Sequence, residues 1–320
     1  LQAHVASGAF HNSTQRVDPP RCHPDTRVKI LQDIYDWATQ FGVDHTAWVM
    51  WLNGAAGAGK SAIMQSIAER LVALNAIIAL ASFFFCKGDP TRNTTAPLVA
   101  TLAYQLMQSF PETTEAVLQV VHRNPLIFSQ SVEFQLRELI IHPLQQLPSY
   151  LRQLFVVIID GLDECIDRNL QVDLIKALGK ISSNRDIPIV FLIASRREAQ
   201  IVSEFRKRHF SSILQTIDLD RIQAADDIRG FLNAKFAEIK YTHPFCHLLP
   251  FEWPAPSVVN QLVAKASGQF IFGSVIINFI LSPRRNPAQQ LKIVCDLRLR
   301  DPSSEHPFAH LDSLYRYIFS

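Results

Sequence analysis

Gly54-Ala55-Ala56-Gly57-Ala58-Gly59-Lys60-Ser61 fits the eight-position signature G-x-x-x-x-G-K-[ST] at every fixed position. Glycines let the backbone curl so that successive N–H groups turn inward, a concavity that suits the β-phosphate of a nucleotide. A helix beginning near Gly59 adds its positive end. Lys60 then sets a compact charge beside the β- and γ-phosphates, and the Ser61 hydroxyl becomes a magnesium ligand. The flanks suit this reading. Ala47-Trp48-Val49-Met50-Trp51-Leu52 is an apolar, strand-like run leading in. From Ala62 to Leu74, residues Ile63, Ile67, Leu71 and Leu74 recur on one side of a helix leading out. Strand, glycine-rich loop and helix in that order separate a phosphate loop from an ordinary Ala/Gly-rich turn.

A phosphate loop needs a second acid for its metal. Phe155-Val156-Val157-Ile158-Ile159-Asp160 is an apolar strand ending in a carboxylate, the Walker B pattern. A strand buried on both faces tolerates a polar residue only at its C-terminal end, where Asp160 emerges at the same sheet edge as the loop. The text continues Gly161-Leu162-Asp163-Glu164-Cys165, and Asp163 and Glu164 are candidates to orient water for attack on the γ-phosphate. Another apolar strand ends Ala194-Ser195-Arg196-Arg197, placing Ser195 or Arg196 to distinguish diphosphate from triphosphate. The guanine-reading N-K-x-D pattern is absent, which favours ATP or ADP with Mg2+ over GTP as the cofactor.

Around these motifs strands alternate with helices. Strands are expected over 47–52, 77–85, 154–160, 187–194 and 213–219, each nearly all apolar. That pattern means an α/β fold whose parallel sheet is covered on both faces. A first helix opens after Pro24-Asp25-Thr26, buries Ile30, Ile34, Trp37 and Phe41, and stops at Gly42. Further helices are expected over 97–109, 112–121, 132–147 (bent or broken at Pro143) and 169–181. After Asp220 only helices follow, beginning with an amphipathic one over 224–241. The expected organisation is a polar linker over 1–23, a nucleotide-binding domain over 24–220, a helical domain over 221–305 and the start of a further domain over 306–320.

Composition narrows the partners. Length (320 residues) suits two compact units, and 48% apolar residues supply ample core. A net charge of +2 gives no support to a nucleic-acid partner. The five cysteines are scattered without a C-x-x-C pair, which fits a reducing, cytoplasmic setting. His243, Cys246 and His247, even with Cys22 and His23, match no structural zinc spacing. The longest apolar runs are too short to span a bilayer, so no membrane partner is expected. The chain has no starting methionine and no signal-peptide pattern, and reads as an excised piece of a longer protein.

Trp51-Leu52-Asn53-Gly54 into the phosphate loop, Asp160-Gly161-Leu162-Asp163-Glu164-Cys165 and Ala194-Ser195-Arg196 together resemble a NACHT domain, the NTPase module of STAND signalling proteins. The likeness is strongest to the fungal NOD-like receptor type, near the nephrocystin-3-like N-terminal NTPase family. It extends through Pro24-Asp25-Thr26-Arg27, Ser82-Phe83-Phe84-Phe85, Ala266-Ser267-Gly268-Gln269-Phe270 and Leu311-Asp312-Ser313-Leu314-Tyr315. The resemblance implies a P-loop NTPase three-layer sandwich with strand order 5-1-4-3-2, a small all-α helical domain, then a winged helix. It implies nucleotide contacts from Gly54, Ala55, Ala56, Gly57, Ala58, Gly59, Lys60 and Ser61, and magnesium held by Ser61 and Asp160. It makes Asp163 or Glu164 the water-orienting acid and Arg196 the sensor, with Thr26 and Arg27 lining the base pocket. One departure stands out: plant-type relatives carry G-x-P in the helical domain, whereas here Phe270 follows Gly268-Gln269.

Two functions are compatible with these residues. In a signalling switch of innate immunity, nucleotide identity controls homo-oligomerisation, with an effector domain before this segment and sensor repeats after it. A turnover ATPase of the AAA+ kind does mechanical work instead. Motor ATPases place the catalytic Glu directly after the magnesium Asp, where this chain has Gly161. The spacing therefore favours the switch, with hydrolysis well below the enzyme median of about 10 per second.

Overall fold

The computed structural model describes residues 1–39, 47–74, 78–148, 151, 153–183 and 187–296. The expected helix stop at Phe41-Gly42, the end of the helical domain and the winged-helix start lie outside the described residues. The chain divides into two units. The first holds Leu1–Arg21, Lys29–Ala55 and Lys60–Leu219, and the second holds Cys22–Val28, Ala56–Gly59 and Asp220–Ser320.

The first unit is built on five parallel strands: β1 (Val49–Asn53), β2 (Ile78–Phe84), β3 (Leu154–Asp160), β4 (Ile189–Ser195) and β5 (Leu214–Asp218). Their order across the sheet is β2-β3-β4-β1-β5, which is 5-1-4-3-2 read from the other edge. Every residue of β1, β3 and β4 is buried. Successive side chains of a strand point to opposite faces, so both faces of these strands are covered. The helices of this unit are α1 (Val28–Thr39), α2 (Lys60–Val72), α3 (Leu98–Ser109), α4 (Thr114–Arg123), α5 (Val132–Leu136), α6 (His142–Gln146), α7 (Arg168–Ser182) and α8 (Ala199–Phe205), of which α2, α3 and α7 pack directly on the strands. The predicted bend at Pro143 takes the form of a π-helical turn, Arg137–Ile141, joining α5 to α6. A proline lacks its amide and crowds the carbonyl four residues back, and a wider turn just before it accommodates both.

Of residues 1–23, read from sequence as a linker, Leu1–Arg21 pack within this unit. The Ala6 amide donates to Thr101 Oγ1 on α3, and the His11 amide donates to Ser82 Oγ on β2. The second unit carries α9 (Ala225–Thr242), α10 (Pro256–Ala266), α11 (Phe270–Ile280) and α12 (Pro287–Asp296). The amphipathic pattern of α9 turns Ile228, Leu232, Phe236 and Ile239 into one core with Leu262, Ile276, Ile280 and Leu291, and Phe231 packs partly buried against it. Among the described residues, no helix is long and apolar enough to cross a membrane.

Candidate nucleotide site

Parallel strands end at one edge, and the chemistry collects there. β1 ends at Asn53, flanked in register by Ser195 of β4 and Asp218 of β5. β3 ends at Asp160, whose register partner on β2 is Phe84. Since β4 lies between β1 and β3, Arg196 leaves the sheet between the strand that enters the phosphate loop and the strand that ends in Asp160.

Lys60 is the first residue of α2, and its Nζ donates to the carbonyls of Gly54 and Ala55 at 2.8 Å each. Ser61 follows, and its side chain is near enough to the Asp160 carboxylate to favour the ionised form. Loop and strand end therefore meet, as the two motifs require. Asp160 is 4% exposed, and its Oδ1 has no hydrogen-bond partner. Burial pushes its pKa up to about 6 against the pull of Ser61 and the charges of Arg16 and Lys60, while Glu164 pushes it further up. A buried anionic oxygen without a donor is costly. An orphaned carboxylate oxygen with a hydroxyl alongside is the oxygen donor set of a hard divalent cation, so these residues fit magnesium.

Gly161 turns the chain in the left-handed region (φ 71°), which a glycine enters without strain. The turn gives the two candidate acids different partners. Asp163 uses both oxygens on one neighbour: Oδ1 accepts the Arg196 amide at 2.9 Å, and Oδ2 lies 3.1 Å from Arg196 Nε. Glu164 accepts the Lys87 amide through Oε2 at 3.1 Å and acts electrostatically on Asp160. Ser195 is fully buried; its hydroxyl accepts from Trp51 Nε1 and donates to the Arg196 carbonyl, so it is committed to the sheet. Arg197 pairs with Asp218.

The remaining predicted residues, Thr26, Arg27, Ala56, Gly57, Ala58 and Gly59, belong to the second unit. Gly57 and Gly59 take positive φ (75° and 95°), the curl that the glycine spacing predicts. The Ile271 amide donates to the Gly57 carbonyl, and Arg27 Nη2 donates to the Ala58 carbonyl, both at 3.3 Å. The two ends of a peptide unit point opposite ways. Binding these carbonyls on one side thus leaves the Ala58 and Gly59 amides facing the other. Thr26 directs its hydroxyl to the His23 carbonyl at 2.7 Å. Arg27 is buried with a left-handed backbone (φ 55°). Its Nε is 3.8 Å from Asp227, and its guanidinium lies 5.0 Å from the Phe270 ring centre. Phe270 is the residue that stands where plant-type relatives carry proline. Nε and Nη1 of Arg27 have no hydrogen-bond partner, and burial lowers its pKa against the pull of Asp227.

Sequence reading missed Arg16, Gln65, Asp227 and Ile271. Gln65 is a polar residue on the buried face of α2, a signal visible in the spacing; the other three carry none.

A family model described as "Nephrocystin 3, N-terminal" matches residues 26–196. No curated protein matches the chain. Among solved structures, the Aeropyrum pernix ORC1 protein in complex with DNA is similar at 17% identity and TM-score 0.52, over 93% of this chain and 66% of that one. Drosophila ORC bound to DNA is similar at 11% identity and TM-score 0.51, over 95% and 64%. C. elegans PCH-2 aligns at 11% identity and TM-score 0.44, over 91% and 68%. The chain thus spans about two thirds of the length of these structures, and the two ORC likenesses show a shared fold.

Proposed function

The chain belongs to the nephrocystin-3 N-terminal family, and from that premise we propose that it is a nucleotide-dependent switch. In this reading it binds ATP or ADP with Mg2+, hydrolyses ATP slowly, and uses nucleotide identity to control self-association in a NOD-like receptor. The observation that carries the nucleotide reading is the buried Asp160 Oδ1, without a donor, beside the first turn of the phosphate-loop helix. Ser61 and Asp160 would hold the metal, which when bound neutralises charge on the β- and γ-phosphates. Lys60 leaves its loop carbonyls for the phosphates. Thr26 and Arg27 serve the base side of the nucleotide.

Slow hydrolysis follows from where the acids stand. Gly161 occupies the position next to the metal carboxylate, and Asp163 is held by Arg196. That leaves Glu164 as the acid to orient water. The Asp163–Arg196 pair supplies the sensor: Arg196, about half exposed, releases Asp163 when a γ-phosphate competes for its guanidinium. Phosphate release by the purified chain tests this reading. Turnover well under one per second, lowered further by Glu164→Gln with ADP affinity kept, is expected. Sustained turnover near the enzyme median of about 10 per second would favour a motor.

A further inference from the structure

The N-terminal residues bring a cation to the metal side of the site. The Gln65 amide donates to the His11 carbonyl at 3.0 Å, and Arg16 Nη1 donates to Gln65 Oε1 at 2.6 Å and to the His11 carbonyl at 3.3 Å. Gln65 stands one helical turn after Ser61 on α2. The Arg16 guanidinium carbon also lies 3.6 Å from the centre of the Phe84 ring. Phe84 is the β2 partner of Asp160 in the sheet register. Two independent anchors, one on the phosphate-loop helix and one on the β2 partner of Asp160, therefore hold one guanidinium within electrostatic reach of Asp160. Its charge acts on the Asp160 carboxylate more strongly than that of Lys60. Burial lowers the Arg16 pKa to about 10, which leaves it a cation at neutral pH.

We propose that Arg16 is a positioning residue for the metal: a fixed positive charge behind Asp160 that disfavours a free divalent ion and admits one accompanied by nucleotide phosphates. The physics is Coulomb's law in a half-buried setting, where screening by water is incomplete. A lone divalent ion meets the repulsion of Arg16 with only the carboxylates in its favour. A metal–nucleotide complex brings phosphate charges that outweigh it. The consequence for a switch is that Mg2+ alone does not occupy the empty site and mimic the loaded one. This inference rests on the reading of Ser61 and Asp160 as metal residues.

Titration of the purified chain with Mn2+, followed by electron paramagnetic resonance with and without ADP, tests it. Arg16→Met keeps the stem over Phe84 and removes the charge. It is expected to tighten Mn2+ binding about tenfold without nucleotide and about twofold with saturating ADP, while Arg16→Lys stays near the parent. Arg16→Gln, checked by circular dichroism, serves if the methionine variant misfolds. Unchanged or weakened Mn2+ affinity in a folded, charge-free variant overturns the proposal. Mn2+ binding by the parent that survives Asp160→Asn overturns the underlying site reading instead, so the two failures are separable.

Discussion

Each of the two units holds a buried charge, Asp160 in the first and Arg27 in the second, and each is under-satisfied in its own way. Asp160 ends a strand buried on both faces, an arrangement in which geometry forces a carboxylate into a dry place. Arg27 sits in a loop with left-handed backbone, buried by Phe270 and given one carbonyl and a carboxylate at 3.8 Å. The acid keeps one oxygen without a donor, and the base keeps two nitrogens without acceptors. A protein selected for stability alone would place a neutral side chain at both positions, because each orphaned buried polar group costs about 1–3 kcal/mol. The contrast teaches where to look for ligand contacts: at buried groups whose bonding is incomplete, whatever their sign. Asp163 and Arg196 show the opposite case, two site charges that satisfy each other.

The comparison breaks most sharply at the phosphate loop. Lys60→Ala removes the one ammonium of the loop, and nucleotide affinity by calorimetry should fall about 100-fold or more with the fold kept. Unchanged affinity would sink the site. Asp160→Asn should show the next largest effect, in two directions at once. An unfolded aspartate titrates near 3.8 and the folded Asp160 near 6, so the folded chain holds the extra proton between those values. Its contribution to stability declines as pH rises through that window, by at most about 1.4 kcal/mol per unit. Asparagine removes this dependence and should raise ligand-free stability at pH 7 by about 1–3 kcal/mol, while weakening Mg2+-dependent nucleotide binding about tenfold. Urea titrations at pH 4 and pH 7 check the first half and calorimetry with and without Mg2+ the second.

The acid half of this comparison was legible in spacing and periodicity and the basic half only through resemblance, for a physical reason. A phosphate loop and a Walker B strand are local: fixed spacing, fixed periodicity and a carboxylate at a predictable end. The five strands and the stripe of α9 were legible for the same reason, since burial imposes a repeat. Arg16 lies in polar text that offers no repeat, and its order comes from hydrogen bonds to Thr101, Ser82 and Gln65, far away in the chain. Arg27 was singled out by resemblance, but its partner Asp227 is 200 residues away and looks like any acid in the first turn of a helix. That Asp163 and not Glu164 pairs with Arg196 was equally hidden, because it depends on which of them the Arg196 backbone reaches.

Gly57→Ala sharpens the second region. A Cβ there would overlap the Ile271 Cγ2 methyl and lie 3.1 Å from Ile271 Cβ, on a backbone with φ 75°. The backbone term alone costs about 1–2 kcal/mol. Gly57→Ala with Ile271→Ala should recover the steric part in denaturation and leave the backbone part. Full additivity of the two losses would show that the contact does not hold the loop.

The smallest expected change is the one that decides the comparison. Arg27→Met keeps a long unbranched side chain under Phe270 and removes the guanidinium. It loses the bond to the Ala58 carbonyl and the distant pairing with Asp227, but also removes two orphaned donors. Asp227 is 28% exposed and can turn to water, so its isolation costs little. The losses and gains nearly offset, and ligand-free stability should rise by about 0–1 kcal/mol. ADP affinity should fall in the same variant. A drop in stability beyond about 2 kcal/mol, the size of a broken buried network, would make Arg27 a structural clasp and leave Asp160 as the only one of the two charges kept for a ligand.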